Sequence, residues 1–74
     1  MTTTKLPPGW RVENLGLIEA VQFYSPGGFT LLWCDGKWSA GPSGASARGV
    51  PRASSMAEAR RVGTAWINEM EASA

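Results

Sequence analysis

The sequence predicts an α+β domain: an antiparallel meander of three to four strands with one C-terminal helix packed on one face. Two observations support this fold class. Strand-forming runs between residues 10 and 40 are separated by turn sequences, and the last third of the chain has helical periodicity. With 74 residues the chain makes one domain, in which we expect a flexible arm over 1–9 and a β-β-β-α unit over 10–74.

The first strand is expected over Trp10 to Gly16, at an edge of the sheet. It turns back near Asn14-Leu15-Gly16, and we place Trp10 on the core face. The sequence leaves the register of this strand open.

The hairpin around Asp35-Gly36 follows from its turn residues. A type I′ turn needs positive φ at both central positions, which Asp-Gly tolerates. A two-residue turn here places Trp33 opposite Trp38. The two indoles then lie on one face of the sheet.

The preceding hairpin is interrupted by Ser25-Pro26-Gly27-Gly28. A two-residue Pro-Gly turn would splay the strands and mix apolar with polar residues on each face. A three-residue loop with Gly28 in the left-handed region places Phe23 opposite Leu31 and gives each face a consistent character. We therefore predict the three-residue loop.

The predicted registers divide the strand residues into two faces. The core face carries Val21, Phe23, Phe29, Leu31, Trp33, Trp38 and Ala40, and the other face carries Gln22, Tyr24, Thr30, Leu32, Cys34, Lys37 and Ser39. A domain this small needs its aromatic residues inside. We therefore predict that Trp33 and Trp38 lie in the core, where Trp66 of the helix can meet them.

Residues 41–54 are small, rich in Gly and Pro, and basic, which predicts a long loop with a short strand around Val50 as one option. The helix is expected over 55–72, with Ser55 as N-cap and Glu58 completing a capping box. Its apolar residues recur at intervals of three and four and form one stripe: Met56, Ala59, Val62, Gly63, Trp66 and Met70. Gly63 predicts a close approach of the helix to the sheet.

The composition excludes several kinds of chemistry. The chain has no histidine, so a Ser or Cys nucleophile would lack its usual imidazole base, and one cysteine cannot form an internal disulfide or a zinc site. No phosphate-binding loop, secretory signal or membrane span is present in the sequence. We expect a complete cytoplasmic gene product that is not an enzyme and needs no cofactor or metal.

Two surfaces are candidates for binding. The first is the mixed sheet face with Tyr24, Leu32 and Lys37, for which an ordinary solvated face is an equally good interpretation. The second is the set of four arginines between residues 48 and 61, where Glu58 is the one acid and the local charge is +3: Arg48, Arg52, Arg60 and Arg61. Arginine suits carboxylate and phosphate partners. For Arg60 and Arg61 a solvated helix flank is the favoured interpretation, and for Arg48 and Arg52 an ordinary solvated surface and a binding role are equally good interpretations.

The layout GKW, loop, AEARRVGTAW over about residues 29–70 resembles the sheet-plus-helix DNA-binding modules of phage integrases. In that family the sheet face enters the major groove, so the resemblance implies a DNA-binding accessory module that uses a sheet face and a basic loop. The predicted outward face departs from the pattern, because Lys37 is its one cation and phosphate contacts supply much of nucleic-acid affinity.

In size, composition and layout the chain also resembles small accessory proteins of phages and mobile elements, including anti-CRISPR inhibitors. This resemblance implies docking on a host protein or ribonucleoprotein complex and steric inhibition in the host cytoplasm. We adopt that hypothesis, with DNA binding as the alternative. Edge strands and a small core also lead us to expect a homodimer.

Overall fold

The computed structural model describes residues 5–16, 18–41, 45–46 and 49–73. Five strands form one antiparallel sheet in chain order: β1 (Arg11–Leu15), β2 (Ala20–Tyr24), β3 (Thr30–Cys34), β4 (Lys37–Gly41) and β5 (Ala45–Ser46). A single described helix, α1 (Met56–Ser73), follows them. The predicted meander with a C-terminal helix is confirmed. The short strand of the loop lies at β5, which pairs with β4, and not around Val50.

The β3–β4 hairpin turns as its Asp-Gly pair predicts. Asp35 and Gly36 have φ values of 50° and 78°. The left-handed values at both positions suit a tight two-residue turn. Trp33 consequently lies opposite Trp38.

The β2–β3 hairpin has the predicted three-residue loop. The Ser25 N–H donates to the Phe29 carbonyl at 2.8 Å, and Gly28 takes a φ of 93°. The Ser25 hydroxyl accepts a second bond, from the Phe29 N–H, at 2.8 Å. Phe23 therefore lies opposite Leu31, as expected.

The structure supplies the register of β1 that the sequence left open. Arg11 pairs with Tyr24 and Leu15 with Ala20, without a break between them. Because side chains alternate along a strand, Val12 faces the core together with Trp10, which contacts Phe29 edge-on with ring centroids 6.3 Å apart. The predicted placement of Trp10 is confirmed.

The core lies between the sheet and α1. Its apolar members are almost fully inaccessible to solvent: Val21, Phe23, Leu31, Trp33, Ala53, Ala59 and Ile67. On the helix the most deeply buried line is Ala59, Gly63 and Ile67, at intervals of four. The predicted stripe omitted Ile67, which is the largest fully buried side chain of α1.

Gly63 is the point of closest approach between α1 and the sheet. A Cβ atom at this position would lie 2.5 Å from Cε1 and Cζ of Phe23 and 3.1 Å from Cη2 of Trp38. Phe23 and Trp38 themselves stack with their planes at 30°. The predicted use of this glycine, a close approach of the helix to the sheet, is confirmed.

One of the two hydrogen bonds of the capping box at the start of α1 is shifted by one residue. The Glu58 N–H donates to Oγ of Ser55 at 3.1 Å, as expected for an N-cap. The Glu58 carboxylate, however, accepts from the N–H of Ser54 at 3.0 Å and not from that of Ser55. The cap therefore also orients the residue before the N-cap.

The two tryptophans of the β3–β4 hairpin hold the segment that enters the helix. The Trp33 indole N–H donates to the Ala53 carbonyl at 3.1 Å, and that of Trp38 donates to the Pro51 carbonyl at 3.0 Å. Trp33 is only 2% exposed, whereas Trp38 is half-buried. Both belong to the core, and both also bind the chain that returns from the sheet to α1.

Candidate functional site

The sheet face opposite α1, which we call the outer face, is the candidate functional site. The registers place alternate residues of four strands on it: Arg11, Glu13, Leu15, Ala20, Gln22, Tyr24, Thr30, Leu32, Cys34, Lys37 and Ser39. The α-helix packs on the other side, over β2. Within the described part of the chain, no second layer covers the outer face.

Apolar groups form a continuous patch at one end of the outer face. Leu15, Ala20 and Cys34 lie side by side on β1, β2 and β3, and Leu32 lies two residues before Cys34 on β3, on the same face. Ala20 is fully buried and the other three are half-buried. Residues directly opposite each other have Cβ atoms about 4.5–5.5 Å apart, so these side chains make one surface.

An exposed apolar residue extends this end of the sheet. Ile18 lies in the turn between β1 and β2 and is 56% exposed, the one large hydrophobic residue of the described chain with such exposure. Its neighbours along the chain lead into Leu15 and Ala20 of the patch. A cluster of exposed and half-exposed apolar residues is more informative than a single one, because contiguous apolar surface marks interaction sites.

The other end of the outer face is polar and ordered by side-chain contacts. The Arg11 guanidinium lies 5.1 Å from the ring centroid of Tyr24 and 3.6 Å from the Glu13 carboxylate. The Tyr24 hydroxyl donates to Oε1 of Gln22 at 3.1 Å. These contacts hold Tyr24 against the sheet beside the apolar patch.

Arg11 is a member of the outer face that the sequence reasoning missed. The expectation that Lys37 is the one cation on this face is therefore wrong. The signal was present in the sequence: with Trp10 on the core face, strand alternation places the next residue on the opposite face.

The predicted basic cluster does not form a single patch among the described residues. Arg52 lines a concavity of about 410 Å³ with Lys37 at the β3–β4 turn, and Asp35 and Glu58 line the same concavity. Two cations and two carboxylates therefore balance there. The concavity combines residues of the β3–β4 hairpin with residues at the start of the helix, which are far apart in the sequence.

The remaining arginines lie elsewhere. Arg60 is exposed and its guanidinium donates to Oδ1 of Asn14 at 3.0 Å, which connects α1 to β1 on the helix side. Arg61 is exposed on the helix. Arg48 lies outside the described residues. Arg60 and Arg61 thus do not share a surface with Tyr24 and Leu32.

Comparison with protein-family models, curated proteins and solved structures finds no match for this chain. In the described part of the chain, no helix is long and apolar enough to cross a membrane. Among the same residues, no group of three acidic or cysteine side chains is arranged to hold a metal ion.

Proposed function

We propose that this chain is a small, non-enzymatic protein-interaction module that binds its partner through the outer face. The observation that supports this proposal is the apolar patch of Leu15, Ala20, Leu32 and Cys34 on a face that α1 leaves uncovered. The patch is bordered by the ordered pair of Arg11 and Tyr24. An apolar centre with an aromatic residue and arginine beside it has the composition of protein interfaces.

The finer form of the proposal concerns the partner. The size and layout of the chain favour an inhibitor from a phage or mobile element that docks on a host protein or ribonucleoprotein complex and blocks it sterically. The concavity at Arg52 shares Lys37 with the outer face and would add polar contacts at the rim. Arg60 and Arg61, on α1, remain candidates for contacts with a partner that extends beyond the outer face, and Arg48 remains a candidate outside the described residues.

DNA binding is the alternative hypothesis. Lys37 and Arg11 are the cations on the described outer face, and Arg11 already has a carboxylate beside it. Such a face can make few phosphate contacts. Because phosphate contacts supply much of the affinity of a protein for DNA, we expect its DNA binding to be weak. The geometry therefore favours a protein partner.

The proposal is tested by affinity capture from bacterial lysate, with and without nuclease and at low and raised salt. We expect a protein partner that survives both treatments. Leu32→Arg should abolish its capture, because a charge is introduced at the apolar centre. Ala72→Arg adds the same charge at an exposed position in the last turn of α1 and serves as the matched control.

If nuclease abolishes capture, or if capture falls steeply with salt, the result would contradict a protein partner and support DNA binding. Equal capture by the Leu32 and Ala72 variants would remove the outer face as the binding site. Cys34 gives a second readout, because it is the chain's single cysteine and lies in the patch. A bound partner should slow the alkylation of its thiol.

A further inference from the structure

The two edges of the sheet differ in their ability to accept another strand. β5 has two residues, whereas β1 has five that pair regularly with β2 along their whole length. β1 contains no proline, glycine or bulge. An edge of this length presents unpaired N–H and carbonyl groups that form a template for a further strand.

The hydrogen-bond pattern identifies the backbone groups on β1 that pair with no described strand. The bond from Ser25 to Phe29 shows that odd-numbered residues of β2 direct their backbone groups to β3. Even-numbered residues such as Tyr24 therefore bond to β1. Their partners on β1 are the odd-numbered residues. Val12 and Asn14 consequently direct their N–H and carbonyl groups to the open side.

The charges on β1 restrict which strand can pair there. Arg11 and Glu13 stand on either side of Val12 and both point to the outer face. An uncharged strand would leave both without an oppositely charged residue across the new strand pair. In an antiparallel pair of two β1 strands with Val12 opposite Val12, each Arg11 lies opposite Glu13 of the other copy. Opposite charges in directly opposed positions stabilise a strand pair, and like charges destabilise it.

We propose that β1 pairs with β1 of a second copy in this register and makes one continuous sheet across a two-fold axis. The N–H of each Val12 then donates to the carbonyl of the other, and each Asn14 N–H donates to the Trp10 carbonyl of the other copy. The Trp10 N–H is not needed, and it already donates to the Pro7 carbonyl at 3.2 Å. Moving the centre to Glu13 would place two glutamates opposite each other.

The helices leave room for this dimer. In an antiparallel pair of identical strands both helices lie on the same side of the joined sheet. α1 packs over β2, so the two helix axes would be three strand spacings apart, roughly 14 Å. Packed helices approach to about 8–10 Å, so the two do not collide. The outer faces join into one surface with the two Arg11–Glu13 pairs at its centre.

The test is sedimentation equilibrium of the whole chain over roughly 10 µM to 1 mM, the range suited to a small interface. We expect a reversible monomer–dimer equilibrium. Glu13→Arg and Arg11→Glu should each weaken the dimer by about tenfold or more, because both symmetric pairs become repulsive. The double variant R11E/E13R restores opposite charges in the same register, and its dimer constant should return close to that of the unchanged chain.

Lys37→Glu is the matched control, because it reverses a charge on the outer face at β4, away from the edge. It should leave the equilibrium unchanged. Circular dichroism checks that each variant is folded, which we expect since Arg11 and Glu13 are exposed. A monomer throughout the concentration range would overturn the proposal. So would a dimer indifferent to the single reversals, or a double variant that fails to recover. None of these results depends on the docking partner.

Discussion

The two faces of the sheet are built from alternate residues of the same strands, yet they differ in what fixes their side chains. On the covered face, Phe23 and Trp38 are stacked under Gly63 with no room for a methyl group. On the outer face, Tyr24 is held by one hydrogen bond and one guanidinium. Packing determines the first face and polar contacts order the second. The first face therefore determines stability, and the second is the face that we propose for recognition.

The largest contrast is expected between Phe23→Ala and Tyr24→Ala, which remove aromatic rings from adjacent residues on opposite faces. Phe23 is fully buried, so its loss should lower the free energy of unfolding by about 3–5 kcal/mol. Tyr24 is half-buried, and its loss should cost about 1 kcal/mol or less. Urea unfolding followed by circular dichroism measures both. Equal losses would show that the outer face is packed as tightly as the core.

Gly63→Ala should destabilise the protein although alanine is the better helix former. The added Cβ atom would meet the Phe23 ring at 2.5 Å. Overpacking of this kind costs about 1–3 kcal/mol, and a contact this short places the cost in the upper part of that range, above the helix-propensity gain of about 1 kcal/mol. Ala57→Gly, at an exposed position of α1, measures the propensity difference in the same helix and is the control. A more stable Gly63 variant would contradict the close approach.

The hairpins and the division into faces could be predicted because turn chemistry and alternation act locally. Asp35-Gly36 specifies its own turn, and Gly28 specifies the three-residue loop. Strand β5 could not be predicted, because Ala45 and Ser46 have no strand preference and pair only because β4 is beside them.

Long-range contacts explain the remaining differences at the site. The sequence does not reveal that Arg52 and Lys37 line one concavity, or that Arg60 bonds to Asn14. These residues are far apart in the chain and come together only in the folded structure. The predicted stripe also lacked Ile67. The helix packs on the sheet along the line of its small residues Ala59 and Gly63, and Ile67 continues that line. The outer-face residues Tyr24 and Leu32 were predictable, because strand register alone places them.

Trp33→Phe and Trp38→Phe separate buried from accessible hydrogen bonds on the covered face. Loss of the Trp33 N–H leaves the Ala53 carbonyl without its partner in the core, and an unsatisfied buried group costs about 1–3 kcal/mol. The Trp38 bond to Pro51 is exposed, so water can replace it and the loss should be below about 1 kcal/mol. Urea unfolding of the two variants gives the difference. Equal effects would show that burial does not determine how much each of these two hydrogen bonds contributes to stability.

Leu32→Thr should have the smallest effect on stability and a large one on binding. Threonine is a good strand former and Leu32 lies on the face opposite α1, so the free energy of unfolding should change by no more than about 0.5 kcal/mol. Because Leu32 lies in the apolar patch, partner capture should nevertheless fall. The two measurements together separate recognition from folding. A loss of about 2 kcal/mol or more in the isolated chain would show that this side chain is buried by the protein itself, and the outer face would then be a second core surface instead of a docking surface.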